Sequence, residues 1–272
     1  MVLKFIAGWV VALGALTALA SPVPAATVPL PNSMAAAGDS ITRAFDANST
    51  CLLRDCPQLS WSTGTDPSVN SQYSRLLALN PSLAGHQYNV AKSGATMSDL
   101  VGQMRAAGTN HIDYVTVMMG ANDLCTSSAA TMTPTQTFAT QFGTALANYF
   151  YYNPGGHVFV SSIPDLYQLW VLMHTNSNAT LVWRLFKLCQ SMLAASNTDA
   201  DRQKVVAQES VDNQVLGYVC TKYFANCLWD QGASFNVKFA VADVSTVDYF
   251  HPSVTGQAHL AATTWTAGYW PS

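Results

Sequence analysis

Apolar positions along the chain fall into short, nearly unbroken runs separated by longer stretches of mixed character. The runs are residues 34–37, 87–91, 114–119, 157–161 and 237–242. Runs of that length, bounded by Gly, Pro, Asn and Ser, predict strands buried on both faces. Between them the pattern predicts helices over 71–78, 98–107, 134–152, 179–195, 199–216 and 255–267. Ser98 is the expected cap of its helix, with Asp99 in the first turn. Thr133 is the expected cap of the next, with Pro134 at the first helical position. Strands alternating with helices predict an α/β fold whose parallel sheet is covered on both sides. Sites in such sheets open at the carboxyl ends of the strands, so the residues that follow strands carry the most information.

Composition narrows the class. Hydrophobic residues make up 49% of the 272 and charged residues 10%, which describes a packed globular chain and excludes a disordered one. Twelve basic residues face 15 acidic ones for a net charge of −3, with no Lys/Arg cluster, which argues against nucleic acid as a partner. Lys4 is followed by the apolar run 5–19 and by Ala18-Leu19-Ala20. This predicts a signal peptide within residues 1–25, cleaved after Ala20 or after Ala25, with residues 26–272 as a single domain. A membrane anchor is the competing reading, but the run is short for a span of roughly 20 residues and no basic cluster follows it.

The six cysteines agree with export to an oxidising compartment. Six cysteines allow 15 connectivities; proximity in sequence favours Cys51 with Cys56 and Cys220 with Cys227, and that preference leaves Cys125 with Cys189. A zinc site is the alternative, disfavoured because no C-x-x-C repeat is present. Asn48-Ser49-Thr50 and Asn178-Ala179-Thr180 are glycosylation sequons, used only if the source glycosylates.

The candidate chemistry lies where the strand pattern directs attention. Residues 34–37 lead into Gly38-Asp39-Ser40, which puts a Ser hydroxyl at the sheet edge, although Asp and Ser also serve turns and caps. The second run is followed by Ser93-Gly94-Ala95, where a Gly lets the backbone present its N–H. The third leads into Gly120-Ala121-Asn122-Asp123, where the Asn amide can serve an oxyanion or simply form a turn. Near the C-terminus stands Asp248-Tyr249-Phe250-His251, an acid close enough to reach back to an imidazole. Asp243, at the end of the run before it, competes with Asp248 for that role; its other expected job is to close the strand with a turn. His259 is expected inside the last helix, packing or facing solvent.

Together these blocks resemble those of the SGNH, or GDSL, hydrolase superfamily: Gly38-Asp39-Ser40, Gly94, Gly120-x-Asn122-Asp and Asp248-x-x-His251. The phospholipase B-like branch is the most similar, through Leu59-Ser60-Trp61-Ser62, through Asn89-x-Ala91-x-x-Gly94-Ala95 with Asp99-Leu100, and through Gly120-Ala121-Asn122-Asp123-Leu124-Cys125. The resemblance implies a flavodoxin-like three-layer α/β/α fold with a five-stranded parallel sheet. It implies Ser40 as nucleophile, His251 as base, Asp248 as its partner, and an oxyanion hole from the Ser40 and Gly94 N–H groups and the Asn122 side chain. It calls for no metal and no organic cofactor. Ile41, Arg43-Ala44 and Thr65 depart from the branch, which bears on substrate and not on chemistry.

On this reading the chain is a secreted esterase or lipase, a monomer that takes a small-molecule or lipid ester and makes transient contact with lipid surfaces. Residues 163–189 are rich in large apolar side chains, Leu166, Leu169, Trp170, Leu172, Trp183 and Phe186 among them. They are expected either to line an acyl pocket or cover it, or to form a buried helix pair on the sheet. A carbohydrate acetyl esterase is the enzymatic alternative. A non-catalytic binding protein on the same scaffold is the alternative of another class.

Overall fold

The computed structural model describes residues 28–223 and 225–271; the expected signal peptide lies outside the described residues. Five strands form one all-parallel sheet: β1 (Met34–Gly38), β2 (Gln87–Asn89), β3 (Tyr114–Met118), β4 (His157–Val160) and β5 (Cys227–Trp229). Their order is β2-β1-β3-β4-β5, so the topology reverses beside β1. The helices are α1 (Gln72–Leu79), α2 (Met97–Thr109), α3 (Ala121–Leu124), α4 (Thr135–Tyr152), α5 (Leu166–Met173), α6 (Ser177–Phe186), α7 (Gln190–Leu193), α8 (Asp199–Cys220) and α9 (Val254–Thr266).

The two-residue alternation of the strands sorts their side chains between two cores. Ala35, Ala37, Val115, Val117, Val158 and Val160 pack under α2, α4 and α8, against Leu100, Met104, Phe142, Leu146 and Val205. Met34, Tyr114 and Phe159 point the other way, onto Leu76 of α1 and Trp265 of α9. A large side chain buried in this way contributes roughly 1.5–3 kcal/mol, so the sheet is gripped from both sides. This is the α/β sheet expected from the hydrophobic pattern.

Five local expectations are corrected. Residues 237–242 form no strand: the Val237 carbonyl accepts from the Gln168 amide at 2.9 Å and the Phe239 N–H donates to its oxygen at 2.6 Å, so a side chain takes up their backbone groups. The fifth strand is instead Cys227–Trp229, three residues long and too short to show a period. With that strand gone, Asp243 closes no strand; it ends a 3-10 turn and accepts the Ala240 N–H at 2.7 Å. Helix 179–195 is broken into α6 and α7, because Lys187 (φ 52°) and Cys189 (φ 42°) turn into the left-handed region and bring Cys189 to Cys125. The cap of α2 is Thr96 and not Ser98; Asp99 accepts the Thr96 N–H at 3.0 Å. Pro134 itself stands at the cap of α4, which begins at Thr135.

Cystines join Cys51 to Cys56, Cys125 to Cys189 and Cys220 to Cys227. The first closes the loop after β1, and the second ties the end of α3 to the start of α7. Among the described residues no helix is long and apolar enough to cross a membrane.

Candidate active site

The chain leaves β1 through Gly38, whose φ of 155° carries it close beneath β3. A Cβ there would lie 2.4 Å from the Met118 carbonyl oxygen, so no larger residue fits. Gln103, buried on α2, clamps the same glycine from both sides: its amide oxygen accepts the Gly38 N–H at 2.7 Å and its amide nitrogen donates to the Gly38 carbonyl at 2.9 Å. Two residues on, Ser40 sits at the sheet's carboxyl edge with little solvent exposure.

His251 reaches Ser40 from the loop before α9. Its Nε2 lies 2.7 Å from Ser40 Oγ, and its Nδ1 lies 2.5 Å from Asp248 Oδ2. The Asp248 carboxylate accepts a hydrogen bond from Nδ1–H, which holds the tautomer whose Nε2 carries the lone pair that can take the Ser40 proton. The acid is held by its own loop: Asp248 Oδ1 accepts the N–H groups of Phe250 at 2.9 Å and His251 at 3.0 Å. Tyr249, at φ 56°, makes the turn that folds the acid back. Phe45 and Phe250 flank the imidazole, with ring centroids at 5.2 and 4.9 Å. All three polar side chains are more than nine-tenths buried, which raises the strength of each interaction.

Asn122 stands in the first turn of α3 and lines the same cleft. One proton of its amide is bound by the Ala95 carbonyl at 2.8 Å, which fixes the plane of the group. Ala95 belongs to the turn that holds Gly94 (φ 78°), so the two candidate donors are coupled. Asp123, next in the chain, accepts the Met97 N–H at 2.8 Å and pins the same turn to α3. Asp243, the rival acid, also lines this cleft, but its carboxylate pairs with Nδ1 of half-exposed His259 at 2.9 Å and not with His251.

The site also holds groups that the sequence pattern did not single out. Burial pushes the Asp39 carboxyl up to about 6, opposed by the Ile41 N–H and by His251. Burial likewise raises Asp123, against the Met97 N–H. Burial and the nearby Asp248 raise Asp46. Gln103 had one sequence signal, a polar residue on the apolar stripe formed by Met97, Leu100, Met104 and Ala107. The far wall of the cleft is apolar. Leu166, Leu169 and Leu172 of α5 line the cleft together with Phe239, Val244 and Phe250, and it opens to solvent. Among the described residues no group of three or more His, Cys, Asp or Glu is placed to hold a metal ion.

The family model for GDSL-like lipases and acylhydrolases matches residues 34–263. No curated protein matches the chain. Among solved structures it is similar to a catalytic mutant of Axe2, an acetylxylan esterase from Geobacillus stearothermophilus, at 15% identity and TM-score 0.53 over 88% of this chain and 96% of that one. A putative GDSL-like lipase from Parabacteroides merdae shows 16% identity and TM-score 0.53 over 89% and 98%. LAE5, an alpha/beta hydrolase enzyme from the metagenome of Lake Arreo, Spain, shows 16% and 0.52 over 86% and 94%. At such identities the likeness establishes a shared fold.

Proposed function

Because the chain belongs to the GDSL-like lipase/acylhydrolase family, we propose that it is a secreted carboxylic ester hydrolase acting on acyl esters, lipid esters foremost, with Ser40, His251 and Asp248 as its catalytic residues. The observation that carries this reading is the unbroken line from Ser40 Oγ through the imidazole to Asp248, at 2.7 and 2.5 Å, opening into an apolar cleft.

The chemistry follows from that line. A Ser hydroxyl is a weak nucleophile until a base takes its proton. Ser40 attacks the ester carbonyl as His251 Nε2 accepts the proton. The imidazolium, steadied by Asp248, then protonates the departing alkoxide. An acyl-enzyme remains, and water activated by the same imidazole releases the acid. Charge developing on the carbonyl oxygen is met by the second Asn122 amide proton and by the Ser40 and Gly94 N–H groups. Such donors act with most effect because they are already fixed. The leucines of α5 offer an acyl chain a surface with no polar demand, which favours lipid or aryl-alkyl esters over acetylated sugars. Export of residues 26–272 as one domain is supported by the three cystines, which persist in oxidising compartments.

Two measurements test the proposal. A fluorophosphonate probe is expected to label Ser40, and Ser40→Ala to lose both labelling and turnover; labelling of another Ser would overturn the assignment. A p-nitrophenyl ester series from acetate to long acyl chains is expected to be hydrolysed best beyond acetate. Preference for acetate alone would return the carbohydrate acetyl esterase reading, and inertness toward the whole series the binding-protein reading.

A further inference from the structure

We propose that the surface of α5 and α6 docks this protein onto an anionic lipid–water interface, with Val171, Leu181, Leu185 and Phe186 entering the acyl region and Arg184 and Lys187 meeting the head groups. The inference rests on the ester-hydrolase reading of the adjoining cleft.

The first observation is the face that α6 turns outward. A surface helix ordinarily buries its apolar stripe and exposes polar residues. Helix α6 buries Ala179 and Trp183, yet it exposes Leu181 by 43%, Leu185 by 64% and Phe186 by 61%, and the preceding helix exposes Val171 by 49%. Scattered apolar residues on a surface need no explanation, but four large ones on two consecutive helices mark a contact. The groove beside these helices is mixed in character, with Trp170, Leu181 and Trp183 set among His174, Thr180 and Arg202.

Charge identifies the occupant. Arg184 and Lys187 stand beside those side chains, and neither forms an ion pair among the described residues. No acid occurs between Asp165 and Asp199 to offset them. A second copy of the chain packed symmetrically on this face would bring the two cations toward their own duplicates. Anionic lipid head groups satisfy them instead.

Position links the surface to the reaction. The other side of α5 presents Leu169 and Leu172 to the cleft. The buried Trp183 indole donates to the Tyr249 carbonyl at 2.9 Å, inside the Asp248–His251 loop. The Cys125–Cys189 cystine joins the segment just after α6 to the end of the helix that carries Asn122. A lipid layer seated on α6 therefore lies beside the cleft and is held in register with it. Asn178 lies three and seven positions before Leu181 and Leu185, on the same side of α6, so a glycan there would cover the surface.

The test uses the chain carrying Ser40→Ala, made in a host that leaves Asn178 unmodified, and vesicles of phosphatidylcholine alone or mixed with phosphatidylglycerol. Co-sedimentation is expected with the mixed vesicles, weakening as salt rises. Leu185→Ser with Phe186→Ser is expected to weaken it by at least about tenfold. Arg184→Gln with Lys187→Gln is expected to remove the preference for anionic vesicles, about 30-fold for the two charges. With Ser40 restored, both double variants should hydrolyse a soluble p-nitrophenyl ester at the parent rate and vesicle lipid more slowly. Failure of the parent chain to sediment would overturn the proposal, as would sedimentation indifferent to Leu185→Ser with Phe186→Ser. A dimer in light scattering that the same pair abolishes would assign the surface to a second copy instead. Inertness of the Ser40 protein toward the soluble ester strikes the hydrolase reading alone, and the vesicle arm still judges the surface.

Discussion

On one wall of the cleft, Ser40, His251 and Asp248 are fixed by directional bonds within 3.0 Å, and the backbone beneath Ser40 is clamped by Gln103. Elsewhere around the cleft, Leu166, Leu169 and Leu172 present only apolar side chains to it, on a helix that is itself hydrogen-bonded to Glu209 and to residues 237 and 239. Directional bonds tolerate displacements of tenths of an ångström, whereas apolar contact tolerates changes of shape at a cost set by volume. The first wall can therefore define a reaction, and the second can define which acyl group reaches it. The two are joined at a few points, notably the Trp183 indole on the Tyr249 carbonyl.

Changes on the polar wall should cost the most. Asn122→Ala is expected to fold and to lose about 10²–10³ in kcat with little change in KM, because the amide meets charge only in the transition state. A raised KM at constant kcat would make Asn122 a ground-state contact and blur the division between the walls. Asp248→Asn is expected to lose about 10–10³ in kcat, since an amide can hold the wrong tautomer of His251. Asp243→Asn should leave kcat nearly unchanged. The reverse result in stopped-assay kinetics on folded variants would assign the orienting acid to the wrong loop.

The apolar wall should answer in specificity. Leu172→Trp narrows the cleft, and kcat/KM for a long-chain p-nitrophenyl ester is expected to fall about 10–100-fold relative to acetate, the range that differences in apolar fit supply. An equal loss on both esters would show that α5 positions the catalytic loop and does more than select chains.

The remaining effect concerns stability and not turnover. Burial holds Asp39 near 6, above its ordinary 3.8. Between those values the native state keeps a proton that the unfolded state has released, so this group's contribution to stability falls as pH rises through that window. Asp39→Asn is expected to flatten the decline of Tm between pH 4 and 7 and to recover up to about 3 kcal/mol at neutral pH. An unchanged slope would mean that the burial cost is met elsewhere.

How legible the molecule was depended on the range of the interactions. Runs such as 114–119 predicted strands because a strand buried on both faces needs apolar side chains at every position, a local requirement. Gly38, Asn122, Asp248 and His251 were legible as short motifs because each motif is a local turn. The fifth strand was missed because three residues carry no period, and residues 237–242 look like a strand yet bond to the side chain of Gln168. The break between α6 and α7 was missed because the pull comes from Cys125, 64 residues away in sequence. Gln103 reaches Gly38 across 65 positions, and His251 reaches Ser40 across 211.

By itself, then, the sequence determined the alternation of strands and helices and the family's four blocks, and with them the candidate reactive side chains, since each is written in neighbouring residues. Only the tertiary structure decided how His251 meets Ser40, which helix walls the cleft and which apolar face of α6 is left in water. Those outcomes depend on contacts between distant segments, and their energies do not exist until the sheet has brought the segments together.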